Sequence, residues 1–255
     1  MTDVRSALRA ATVSELAWLG GDGRPDALPA TPLLLEDAPA VAYAYAYRAL
    51  ALRIAASHRV ALVVSDPRMT ASGWEPVAVV GSPRLIEDPD GVFVAEKILQ
   101  QELRKFPPSR ALADSMMLRT ENWWYVPRLI IALENVTAVS VAARTTADQV
   151  LAVAGEDGLF VDTVAADEAG ADELRLRSLS ERSSPSGPAV LLGHDFSEPD
   201  LERWTPWVTR GRLAHGVLRV EEHPERTSLE PVPKLRERYR QHRELKRACI
   251  SGLGA

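Results

Sequence analysis

The sequence predicts an α+β protein made of two tandem β-barrel-like units with helices packed around them. Three observations predict it. The pattern Trp74-x-Pro76-x₄-Gly81 returns as Trp204-x-Pro206-x₄-Gly211, shifted by 130 residues. Leu16-Ala17-x-x-Gly20-x-Asp22-Gly23 returns as Leu151-Ala152-x-x-Gly155-x-Asp157-Gly158, shifted by 135. The elements read around the two copies also follow one order. Matches in the same order at nearly the same offset indicate one β unit used twice; the alternative is two unrelated hairpins that share turn residues. The expected division is an N-terminal unit with two inserted helices over 1–145, then a shorter unit over 146–255 that ends in a basic amphipathic helix.

Residues 3–11 read as a short amphipathic helix with Val4, Leu8 and Ala11 on one side. Glu15 to Leu19 is a strand closed by Gly20-Gly21-Asp22-Gly23, where glycine reaches positive φ at no cost. Ala27 to Leu35 is a second strand, and Pro29 and Pro32 place it at an edge or on a bulge because proline cannot donate to a ladder. Val41 to Tyr47 alternates tyrosine with alanine, a β period. Residues 48–57 are good helix formers. Val60 to Ser65 reads as a buried strand, and Trp74 to Glu87 as one or two strands around Gly81.

Val92, Ala95, Leu99, Leu103 and Phe106 form the stripe of one helix that stops at Pro107-Pro108. Ser109 opens a second helix to about Leu118, and Trp123 to Val141 is β-prone. The second half reads as a meander over 150–153, 159–164 and 173–179. The loop from Ser180 to Pro188 stands where the first half has its helix. A buried strand at 189–192 and late strands over 207–221, around His215-Gly216, complete the copy. The final helix, Pro233 to Ile250, turns Leu235, Tyr239, Leu245 and Cys249 to one side.

The 255 residues are 46% hydrophobic and 25% charged, a globular composition. No apolar run is long enough to span a bilayer, and the first residues carry no signal-peptide apolar core. A cytoplasmic protein without a membrane partner is expected. One cysteine, Cys249, excludes an intramolecular disulfide and a cysteine zinc cluster. The net charge of −5 hides an asymmetry: Lys234 to Arg247 holds seven basic and two acidic residues, which leaves −10 on the rest. One basic helix without interleaved aromatics is weak evidence for nucleic acid; docking on the acidic body or on a neighbouring subunit is the expectation. No P-loop, dinucleotide fingerprint or nucleophile elbow is present.

The first half, with its Gly-Asp-Gly-Arg-Pro turn, its short helix and the run His58-Arg59-Val60-Ala61-Leu62-Val63-Val64, resembles the split β-barrels of the pyridoxamine 5′-phosphate oxidase-like superfamily. The likeness covers residues 12–142, and through the repeat it extends over 148–222. Members of that superfamily mostly bind FMN, some the deazaflavin F420 and a few haem, usually at the interface of a homodimer. The resemblance implies a flavin oxidoreductase in which one chain supplies its own pseudo-dimer, with the cofactor at the seam between barrel units; it leaves a homodimer open and the substrate unknown.

The resemblance places phosphate-binding basic residues at the end of the third strand and in the next helix, here Tyr47, Arg48 and Arg53. The second copy offers Arg182 and Ser183 in the matching place. With Thr31 and Trp123, these make the candidate cofactor-binding set. One departure stands out: Leu50 falls where a lysine is common. Three alternatives follow: F420 in place of FMN, a haem with His58 as ligand (His194 lies in a similar place in the second copy), or a degenerate, cofactor-free barrel that acts as a binding or interaction module. No metal site and no catalytic residue are read from the sequence.

Overall fold

The computed structural model describes residues 3–254. Helix α1 (Val4–Ala10) starts at Asp3, whose carboxylate accepts from the Arg5 N–H at 3.1 Å. It leads to β1 (Ser14–Leu19), β2 (Pro25–Ala30), β3 (Leu33–Leu35) and β4 (Ala38–Ala44). A 3₁₀ turn at Tyr45–Tyr47 runs into α2 (Arg48–Ala55), then β5 (Val60–Val64) and β6 (Val77–Asp88). Short helices follow, α3 (Val92–Lys97), α4 (Leu99–Lys105), α5 (Arg110–Ala113) and α6 (Met116–Glu121), and then β7 (Arg128–Val139). The second half contains β8 (Gln149–Gly155), β9 (Gly158–Gly170), β10 (Glu173–Ser178), β11 (Gly187–Phe196), β12 (Trp204–Ala214), β13 (Val217–Glu222) and finally α7 (Leu235–Leu253).

The fold is α+β, with two antiparallel sheets. The first runs β2-β1-β5-β6-β7-β4-β3; the second is a closed barrel, β10-β13-β12-β11-β8-β9. The pairing order is the same in both, strand for strand, once β9 is matched to β2 and β3 together. β9 pairs with β8 along its first half and with β10 along its second, which closes the barrel. In the first half Thr31-Pro32 interrupts that strand, so β2 and β3 are separate edges and the sheet stays split. The sequence expectation of one strand over 27–35 is thereby corrected to two.

Helix α4 covers the split edge. The Gln101 amide pairs with the Leu34 backbone in both directions, at 3.0 and 2.7 Å, as a neighbouring strand would. Lys105 donates to the carbonyls of Pro32, at 2.7 Å, and Leu8. Burial, with the nearby Arg104 charge, pushes its amine down to about 7.

The repeated glycines prove structural. Gly81 and Gly211 both sit at register shifts of their ladders. A Cβ on Gly81 would lie 2.6 Å from the Glu134 carbonyl oxygen, and one on Gly211 would collide with the Arg219 carbonyl. Each is a bulge that only glycine fits. The repeated Leu-Ala pair has an equally physical reading. Successive strand residues face opposite sides, so Leu16 and Leu151 enter their own barrel cores while Ala17 and Ala152 face the seam. There Ala17, Ala27, Ala61 and Val63 share one buried cluster with Val150, Val190 and Leu192, and the small alanines permit a close approach.

Four other expectations are corrected. The helix expected over 92–106 breaks at Ile98, where φ is −129°. Ser109 does not cap the following helix; its hydroxyl donates to Glu102 at 2.7 Å. Trp123 and Trp124 lie in a turn ahead of β7, one 55% exposed and the other fully buried. On α7, Cys249 is buried against the first unit with Leu33, Ala44 and Trp124, while Leu235 and Tyr239 of the expected apolar side are exposed.

Candidate functional site

A cavity of about 560 Å³ opens at the split between β2 and β3, within the usual range of about 300–1,000 Å³ for small-molecule sites. Its floor is Leu28 to Thr31, the stretch at which the strand breaks. Tyr43 and Ala44 of β4, with Tyr47 and Leu50 beyond, form one wall. Phe106, Pro108 and Leu112 from the inserted helices form another. Trp204 and Pro206 of the second barrel and Leu245 of α7 close it. Both halves of the chain and its terminal helix therefore build one pocket, and its lining is mainly apolar.

Charged groups at its rim are mutually committed. The Arg128 guanidinium donates to both oxygens of the Glu102 carboxylate, at 2.8 and 3.3 Å, and to the Pro127 carbonyl at 3.1 Å. It lies 4.1 Å over the Tyr125 ring. The Ser109 hydroxyl bridges Glu102 and the Tyr125 hydroxyl, each at 2.7 Å. Burial alone would raise the Glu102 carboxyl, but the Arg128 charge and these hydrogen bonds outweigh it and lower it. Burial pushes Tyr125 up to about 12. The cluster is neutral and its main hydrogen-bonding groups are engaged.

Tyr43 differs. Its ring lines the cavity and its hydroxyl oxygen is buried without a hydrogen-bond partner. Burial raises this phenol, so it stays neutral and able to donate. A buried polar atom left unpaired costs roughly 1–3 kcal/mol.

Trp204 joins the pocket to a buried ionic network between the units. Its indole N–H donates to His194 Nδ1 at 3.2 Å. His194 Nε2 lies 2.7 Å from Glu15 Oε1, and Arg144 donates to that same oxygen from Nη2 and Nε, at 2.7 and 3.1 Å. Arg144 also lies 3.3 Å from Asp66, which Arg68 ties to Asp195. Glu15, Arg144 and His194 are fully buried. Burial opposes the Glu15 charge, yet Arg144 and His194 hold its carboxyl at about 2. Burial lowers His194.

The structure scatters the candidate residues read from the sequence. Thr31 and Tyr47 share the cavity, with Tyr47 at its exposed mouth. Arg48 points to Glu87, 3.7 Å away. Arg53 lines a separate groove of about 650 Å³ with Arg24, Asp26 and Arg210. Arg182 and Ser183 line a third, of about 590 Å³, where Arg182 donates to the Val161 carbonyl at 2.8 Å and lies over Phe160. Trp123 is on the surface. His58 is exposed, and both ring nitrogens of His194 are engaged, so neither histidine presents a ligand to the cavity. Sequence reading missed Tyr43, Glu102, Arg128 and the Glu15–Arg144–His194 network.

Fold and cavity define a class: tandem β-barrels, the first of them split, with an apolar pocket at the split. No protein-family model matches the chain, and no curated protein matches it. Among solved structures the chain is similar to a protein of unknown function from Agrobacterium tumefaciens str. C58, with 20% identity and a TM-score of 0.35; the match covers 53% of this chain and 54% of that one. It thus spans about half of that protein. The haem storage protein HutZ from Vibrio cholerae is similar at 12% identity and a TM-score of 0.36, over 53% of this chain and 90% of that one. A pyridoxamine 5′-phosphate oxidase-related, FMN-binding protein from Nostoc punctiforme PCC 73102 is similar at 13% identity and a TM-score of 0.30, over 83% and 88%. Among the described residues no helix is long and apolar enough to cross a membrane, and no cluster of three metal-ligating side chains occurs.

Proposed function

We propose that the protein is a binding module for a flat, largely apolar small molecule, held in the cavity at the split between β2 and β3. The observation that carries this is the cavity itself, about 560 Å³ at the split, with Tyr43, Phe106 and Trp204 in a mainly apolar lining. An aromatic bed of Tyr43, Phe106 and Trp204 suits a planar ring, and Thr31 and Tyr47 add polar groups to the lining.

The flavin oxidoreductase implied by the sequence resemblance meets this pocket only in part. A flavin's ring system matches the apolar walls, whereas its phosphate needs a cation or a set of free donors. Arg128 is the cation of the lining, and Glu102 already neutralises it. Leu50 lines the cavity where a lysine would have supplied charge. The residues present fit the ring and not the phosphate, so no redox step is assigned.

Titration of the purified protein with riboflavin and FMN, followed by tryptophan quenching, tests the proposal. The expected result is that riboflavin binds at least as tightly as FMN, because phosphate gains no partner and loses water. FMN that co-purifies, or binds tenfold tighter than riboflavin, would overturn the phosphate argument. No binding of riboflavin or of other planar apolar probes would overturn the binding-module reading itself.

A further inference from the structure

We propose that His194 is the positioning residue of the cavity: it fixes the Trp204 indole as a wall, and its protonation releases that wall and weakens ligand binding. This rests on the binding-module reading but makes a claim of its own about Trp204. His194 stands on β11 opposite Pro206, and Trp204 at the start of β12 stands opposite Phe196, so the two are diagonal neighbours across the ladder. The indole N–H donates to His194 Nδ1 at 3.2 Å, and the two rings lie 5.9 Å apart, edge to face.

That bond fixes the histidine's tautomer. If Nδ1 accepts from Trp204, the single proton of the neutral ring sits on Nε2, where Glu15 Oε1 is 2.7 Å away to accept it. Arg144 Nη2 lies 2.6 Å from Nε2, closer than to Glu15; because the indole N–H can only donate and so holds Nδ1 as the acceptor, Nε2 keeps its proton and Arg144 turns its hydrogens to Glu15. Protonating the ring puts a second hydrogen on Nδ1, pointing at the indole N–H. Two donors then face each other, and the indole must move. The charged groups around the ring come from every element packed on it. They are Glu15 on β1, Asp66 and Arg68 after β5, Arg144 in the connector and Asp195 beside it. Glu15 and Asp66 favour the proton; Arg144 and complete burial oppose it.

The indole packs on Phe196 and on Phe106, itself a cavity wall, at ring separations of 6.2 and 6.4 Å, so a displaced indole reshapes the pocket. Its neighbours are thus the imidazole behind it, the two phenylalanines and the pocket. The sequence motif that repeats at Trp74 and Trp204 has therefore diverged in use. Trp74 packs on the first core with its indole nitrogen buried and unpaired, and Trp204 has acquired the histidine.

The test is a pH titration of the ¹⁵N-resolved indole N–H resonances of the full chain, with the Trp204 signal assigned by Trp204→Phe, alongside riboflavin binding at each pH. The expected result is that the Trp204 resonance shifts as pH falls below about 6.5 and that riboflavin affinity drops about threefold or more with it. In His194→Gln neither should depend on pH. In Trp204→Phe, which keeps the histidine, residual binding should also lose its pH dependence. A Trp204 resonance that stays fixed to about pH 4.5 with the circular dichroism of the fold intact would overturn the proposal. So would an equal shift in His194→Gln. If the resonance titrates as expected while riboflavin binds at no pH, the positioning role stands and the binding-module reading fails.

Discussion

Replacing Arg144 by methionine removes a guanidinium that donates twice to Glu15 and lies 3.3 Å from Asp66, at a site with no solvent exposure. What remains is a buried carboxylate with only the His194 N–H and the Ser65 hydroxyl, the latter at 3.3 Å. Losing one partner of a buried pair costs about 3–5 kcal/mol. A Glu15 carboxyl lowered from 4.5 to about 2 by Arg144 and His194 corresponds to a contribution of roughly 3 kcal/mol at neutral pH. Because its folded value is depressed, that contribution is present above about pH 4.5 and is lost as pH falls toward 2. Arg144→Met should therefore be destabilised by about 3–5 kcal/mol at pH 7 in urea unfolding, and the deficit should shrink toward pH 4 as Glu15 takes up a proton. A Glu15→Leu/Arg144→Met double variant should be less destabilised than Arg144→Met alone, since no lone charge is left beside His194. A deficit below about 1 kcal/mol at pH 7, or one unchanged with pH, would refute the reasoning.

Other outcomes follow from the same geometry. Gly81→Ala and Gly211→Ala should each lower stability by about 1–3 kcal/mol, because the added Cβ meets a backbone carbonyl that cannot yield; thermal unfolding checks both. Tyr43→Phe should leave stability unchanged or slightly raised, since the hydroxyl it removes is buried and unpaired; thermal melting curves check this. His194 is held below its ordinary value by burial, so the unfolded chain binds the extra proton first, and stability should begin to fall as pH drops below about 6.5. Denaturant midpoints between neutral pH and pH 5 read this directly, and His194→Gln should remove that part of the slope.

The repeated motif positions were legible because they serve backbone geometry: the Leu-Ala pair divides core from seam and the motif glycine makes a bulge, and both are requirements that local sequence records. The split was half legible. Pro29 and Pro32 pointed to an edge, but only the continuous β9 shows that the break at Thr31-Pro32 is what leaves the first sheet open. Tyr43 was hidden because Tyr43, Tyr45 and Tyr47 look alike in an alternating run. The strand ends at Ala44, which sends Tyr45 into the core and Tyr47 to the surface. Glu15 inside Ser-Glu-Leu-Ala-Trp-Leu and Arg128 ahead of Leu-Ile-Ile-Ala-Leu carried a signal, a charge in an apolar strand. Their partners Arg144 and Glu102, 129 and 26 residues away, carried none.

The central claim is that this pocket keeps a bed for a flat ring and lacks a cation for a phosphate. Leu50→Lys addresses it most directly, by adding charge at a position that already lines the cavity. The measurement is the ratio of FMN to riboflavin affinity in the two proteins. A charged hydrogen bond is worth about 1.5–3 kcal/mol, so the ratio should rise roughly 10- to 150-fold in the variant from a value near or below one. A ratio unchanged by the lysine, or a parent protein that already prefers FMN tenfold, would contradict the account.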